Sequence, residues 1–189
     1  FAPSGTSINN LRSFLEARLH KPGGISIRTS EISSPALAPY SIDDIVQVEN
    51  EFRTVFNQDG TLAVFGFIAD GDFADDENVL GAAYRNTSFV LFGSKIDEVS
   101  GGLGQPSQTT VETTVLTHEF GHLMGLVNNG TPLQSDHQDT AHGKHCDVED
   151  CLMYFTAESG DAVSNLIGGG CAPGLDSQCI ADLRANGGK

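Results

Sequence analysis

Apolar side chains recur every three to four residues over positions 6–20, where Ile8, Leu11, Phe14, Leu15 and Leu19 share one side. That spacing predicts an amphipathic helix, and Pro22-Gly23-Gly24 stops it. Residues 25–32 then alternate apolar and polar, as a half-buried strand does. A Pro/Ala/Ser connector over 33–40 leads to a second helix starting at Ser41. Asp43 and Asp44 fall in its first turn, where the helix dipole favours negative charge. Its stripe of Ile45, Val48, Phe52, Val55 and Phe56 closes at residues 57–60. Residues 62–69 are almost continuously apolar, which predicts a central strand covered on both faces. Two further strands are expected at 79–84 and 88–92, and residues 101–105 form a flexible entry to a third helix. Thr109-Thr110-Val111-Glu112 has the form of a capping box at the head of that helix. Val111, Val115, Leu116, Leu123 and Leu126 continue it, and Asn128-Asn129-Gly130 ends it.

A strand–helix–strand unit followed by more strands and a long helix predicts an α/β (α+β) fold with a mixed sheet. The 189 residues make one domain, 1–189, large enough for a proper core. Apolar content of 39% and charged content of 19% are ordinary for a globular protein, and 22 glycines imply long loops. No apolar stretch is long enough to span a bilayer. A net charge of −15 argues against nucleic acid and anionic membranes as partners. A monomer outside the cytosol is expected, whether secreted, periplasmic or at the cell surface, and a chain opening at Phe1 is expected to be a processed product. The acidic run of residues 70–77 carries ligands of the type Ca²⁺ takes, without EF-hand spacing.

The chemistry concentrates in His118-Glu119-Phe120-Gly121-His122. Side chains four apart lie on one helical face, so both imidazoles can grip one metal ion. Imidazole suits Zn²⁺, which in catalytic sites takes three protein ligands and keeps a fourth position for water. Glu119, between them, is placed to take a proton from that water.

Extended to Gly125, the motif His118-Glu119-x-x-His122-x-x-Gly125 resembles the metzincin clan of zinc metallopeptidases. The resemblance implies that Gly125 breaks the helix and that a third ligand follows three residues later, where this chain has Asn128. Downstream, His145-Cys146-x₄-Cys151-Leu152-Met153 is similar to a segment of archaemetzincins whose histidine is the third ligand. On that resemblance His145 completes the zinc site, residues 128–144 are an insertion, and Met153 is the methionine of the turn beneath the metal. His142, His137 and Asp136, all inside the insertion, are the alternative third ligands. The resemblance further implies a mixed, mostly parallel sheet with an antiparallel edge strand, packed on two or three helices that include the active-site helix. Residues 1–127 would form an upper and 128–189 a lower subdomain.

The family's four cysteines hold a second, structural zinc through a closing C-x-x-C pair. Here Cys171 and Cys179 stand seven residues apart. Two disulfides, Cys146–Cys151 and Cys171–Cys179, are the preferred alternative, since bridges suit an exported chain. The substrate expected from the resemblance is a protein or peptide, laid along an edge strand at Gly81, Ala82 and Ala83, whose small side chains let another backbone approach. The competing expectation is a secreted zinc-containing binding or toxin-like module with weak or latent peptidase activity.

Overall fold

The computed structural model describes residues 1–167 and 170–189. Helix α1 (Gly5–Arg18) starts at Ser4, whose hydroxyl accepts the Ser7 N–H. Helix α2 (Ile42–Phe52) opens with a reciprocal capping box, in which the Ser41 hydroxyl accepts the Asp44 N–H and the Asp44 carboxylate accepts the Ser41 N–H. It stops short of Val55 and Phe56, which are exposed. Three strands follow, β1 (Phe65–Ala69), β2 (Gly81–Arg85) and β3 (Ser88–Phe92), in spatial order β1-β3-β2. β1 runs parallel to β3, and β2 pairs antiparallel with it as an edge strand. Helices α3 (Gly93–Glu98) and α4 (Gln108–Leu123) lead to a short antiparallel pair, β4 (Gln138–Asp139) and β5 (His145–Cys146). A 3₁₀ turn (Phe155–Glu158), α5 (Val163–Leu166) and α6 (Ser177–Ala185) complete an α+β fold.

The expected strands at 79–84 and 88–92 are present, but the centre of the sheet differs from the expectation. β3, not the apolar run at 62–69, is the middle strand and is buried at every position. Its successive side chains serve two cores. Phe89 and Leu91 join Leu11 and Leu15 of α1 and Val111 and Val115 of α4, whereas Val90 and Phe92 join Ile45 and Val48 of α2. β1 lies at the far edge, with Leu62 and Val64 exposed before it. The continuous apolar run is therefore not covered on both faces: Leu62, Val64 and Gly66 are exposed, because β1 lies at the edge. The sheet has one pairing of each sense, so it is not mostly parallel. Residues 25–32 form no strand; Ile25 and Ile27 pack against the core beside Phe14 and Leu19 instead. Alternation buries one side of an extended segment whether or not a partner strand is available.

α4 positions the site. Its cap is Ser107, whose hydroxyl accepts the Thr110 N–H, two residues before the expected capping box. Glu112 faces α1 instead, accepting from the Ser4 N–H at 2.9 Å and the Ser7 hydroxyl at 2.6 Å. The helix is buried at Val111 through Glu119 and again at Gly121, including three threonine positions. Thr114 and Thr117 satisfy themselves inside the core by donating to the Thr110 and Thr113 carbonyls. A third cluster, with Leu126, Val127, Leu152, Met153, Leu175 and Leu183, lies around the cysteines.

Candidate metal centre

The last turns of α4 carry His118 and His122 with their Nε2 atoms 3.1 Å apart. The Leu152 carbonyl can only accept, so His118 donates to it through Nδ1–H at 2.7 Å and turns its Nε2 lone pair inward. Two residues make this packing possible. A methyl group on Gly121 would overlap the Met153 sulfur, so a side chain there would push the buried methionine away from the helix. Gly125 then takes a φ of +80°, and the Leu126 N–H bonds back to the Gly121 carbonyl as the helix breaks. The break is earlier than Asn128-Asn129-Gly130, as the resemblance implied. Asn128 is exposed and gives its amide to Gln138, away from the histidines.

The β4–β5 hairpin returns the chain to the site and delivers His145, which is buried. Its Nδ1–H donates to the His142 carbonyl at 2.6 Å, and its Nε2 has no hydrogen-bond partner. Among the candidates for third ligand, only His145 joins His118 and His122 in one group. His142 is exposed, bonds Asp139 at 2.5 Å and stacks on the Phe155 ring at 3.7 Å. Asp136 is exposed, and His137 belongs to a separate cluster.

Two carboxylates flank the three imidazoles. Glu119 is wholly buried, and neither oxygen has a hydrogen-bond partner. Burial, then the nearby charge of Glu158, pushes its carboxyl well above the ordinary value. It lies against β2, where a Cβ on Gly81 would come within 2.9 Å of Glu119 Oε1 and 2.8 Å of the Val115 side chain. Glycine at 81 is what lets the edge strand sit this close to the carboxylate. Glu158, from the 3₁₀ turn, was not legible in the sequence: an acid five residues after Met153 matches no motif spacing. Its Oε1 lies 3.3 Å from His145 Nε2, and its Oε2 lies 3.6 Å from His118 Nε2 and 4.0 Å from His122 Nε2. Burial disfavours its charge, yet the His118 and His145 rings beside it hold its carboxyl far below the usual range. Burial and the neighbouring His118 depress His122 to about 3, so that ring is neutral at any ordinary pH. For His145, burial is outweighed by Glu158, and its pKa is raised.

A second buried group gathers His137, Cys146, Asp176 and Cys179. His137 Nδ1 lies 3.3 Å from the Cys146 sulfur, and its Nε2–H donates to the buried Asp182 carboxylate at 2.8 Å. Cys151 adjoins it, with its sulfur 3.6 Å from that of Cys179. Contacts with Cys146 and Cys179 lower the Cys151 thiol to about 3, so a thiolate is favoured there. The expected disulfides are not formed: all four cysteines are free. Three converge on this buried group from β5, the loop after it and α6, while Cys171 stays exposed at the surface, outside it.

Both groups can hold a metal ion. The acidic loop at 70–77 forms no such group among the described residues, and three of its five carboxylates are engaged singly. Asp70 accepts from the Tyr40 hydroxyl, Asp72 from the Ser94 hydroxyl, and Asp76 from the Asn78 N–H. No helix among the described residues is long and apolar enough to cross a membrane. Comparison with protein-family models, curated proteins and solved structures finds no match for this chain, so the reading of the centre rests on its own residues.

Proposed function

We propose that this chain is a zinc-dependent metallopeptidase of the metzincin clan, with the metal held by His118, His122 and His145 and with Glu119 as general base. The observation that carries the reading is the convergence of three imidazoles beside a buried carboxylate with no partner of its own. The donor set fits the metal. Nitrogens bound to one tetrahedral zinc at about 2.0–2.1 Å would stand about 3.3 Å apart, close to the 3.1 Å between His118 and His122. The carbonyls of Leu152 and His142 fix both Nδ1 atoms as donors, which leaves Nε2 of His118 and His145 as ligand atoms. Nε2 of buried His145 makes no hydrogen bond and has the Glu158 carboxylate 3.3 Å away, a setting that suits a cation between them.

Zinc would supply Lewis acidity at the scissile carbonyl and make water acidic near pH 7. Glu119 takes the proton of the attacking water and passes it to the leaving amine. Its desolvated position raises the proton affinity of the carboxylate, which suits the first of those transfers. Gly81, Ala82 and Ala83 offer the free edge of β2 to an extended peptide, directly over Glu119. Met153, fully buried against Gly121, supports the histidines from below without ligating.

The second group, His137, Cys146, Asp176 and Cys179, with Cys151 adjoining it, fits a structural zinc held by thiolate and imidazole donors, with Asp182 orienting the His137 ring. Glu119→Ala tests the catalytic reading. Zinc content should stay unchanged while cleavage of a peptide library falls by about 10²–10⁴-fold. Turnover retained in that variant removes Glu119 as the base.

A further inference from the structure

Glu158 has no part in the mechanism above, yet its carboxylate touches all three imidazoles. It lies 3.3–4.0 Å from their Nε2 atoms, and one ligand atom from each of the four side chains, a ring nitrogen or a carboxylate oxygen, falls within 4.8 Å of the others. Glu119 does not share this position: it faces β2 and is absent from the four-residue group. The Glu158 side chain is 27% exposed against 0–9% for the histidines, so it covers the centre from the open side. The backbone beneath it is fixed. The Leu80 N–H donates to the Glu158 carbonyl at 2.8 Å, the Gly160 N–H to the Asn78 carbonyl at 2.7 Å, and Val79 bridges Ser159. Two strand-type backbone hydrogen bonds thus anchor the segment that carries the Glu158 side chain in the wall of the site.

Resting on the zinc reading, we propose that Glu158 is the fourth protein ligand, so that the resting metal is closed by His118, His122, His145 and Glu158. Three neutral imidazoles and one carboxylate complete a tetrahedral zinc set and leave no inner position for water. The site then opens by exchange: the Glu158 carboxylate leaves as water or a substrate carbonyl enters, with no change in oxidation or net ligand number. Residues 158–160 also occupy the start of the strand edge that peptide would extend. Peptide docking along β2 would therefore compete with the seated segment and favour release of Glu158.

The test uses the full chain loaded with Co²⁺ in place of zinc, with electron paramagnetic resonance recorded in ordinary and ¹⁷O-enriched water. Wild type should show no ¹⁷O broadening, whereas Glu158→Ala and Glu158→Gln should each broaden as water enters the vacated position. Broadening in wild type overturns the assignment, and this needs no variant to fold. Absence of broadening in the variants as well overturns it too, because something other than Glu158 would then exclude water. Failure of wild type and variants alike to take up Co²⁺ sinks the metal reading itself, a result distinct from both.

Discussion

At the scale of single residues, the metal-free centre is a set of conflicting protonation demands. His122 has a folded pKa of about 3 against an unfolded value near 6.5, so the unfolded chain binds its proton first as pH falls. Its contribution to stability is complete above about pH 6.5 and is lost progressively on the way down to about pH 3. Glu119 acts in the opposite sense. Its carboxyl is raised by burial, so the folded state keeps a proton that the unfolded state has released, and stability is lost as pH rises. Glu119→Gln mimics the protonated form and should stabilise the metal-free protein, by a margin that grows from pH 5 to pH 8. A neutral-pH gain of about 1–3 kcal/mol corresponds to roughly 2–4 °C per kcal/mol in a chain of this size. Thermal melts of chelated wild type and variant across that range check it; a gap that shrinks with pH contradicts the assigned shift.

Helices and turns decide whether those residues meet. Pattern read well where local chemistry is self-contained. Ser41 with Asp44 closed a capping box where the dipole argument placed it, and β3 spans the expected residues 88–92. It read less well where a partner decides the outcome. Glu112 looked like the reciprocal member of a cap but is claimed by Ser4 and Ser7 of α1 across 105 or more positions of sequence. Residues 25–32 alternate like a strand but find no neighbour to pair with. At the site, His118, Glu119 and His122 were legible because a single helix sets their spacing. His145 was legible only through the cysteine–methionine segment, and Glu158 not at all, because tertiary folding alone brings it in. The turn at Gly121 is the element most sensitive to change. Gly121→Ala forces the buried Met153 to move, at about 1–3 kcal/mol of overpacking, and should lower the urea midpoint and zinc affinity together. A fall in neither would mean the methionine does not support the helix.

For the molecule as a whole, two metal-capable groups lie either side of the segment from β5 to Met153. His145 and Cys146 are neighbours in β5, yet one faces the three-imidazole centre and the other the cysteine cluster. Two zinc ions per chain are therefore predicted. His137→Ala should reduce the content to one and lower the melting temperature, since structural zinc contributes directly to folding. Elemental analysis and thermal melts of that variant check both parts; unchanged stoichiometry would leave His137 a core residue paired with Asp182. The cysteines are free where two disulfides were expected, a distinction sequence cannot draw because pairing and ligation use the same residues.

An anomalous-difference map at the zinc edge, from crystals of protein grown with zinc, addresses the centre most directly. The account predicts a peak about 2.0–2.1 Å from Nε2 of His118, His122 and His145, with Glu119 beside the metal and not bound to it. No peak among those three rings in zinc-replete crystals, or one that lacks any of the three imidazoles as a ligand, would contradict it.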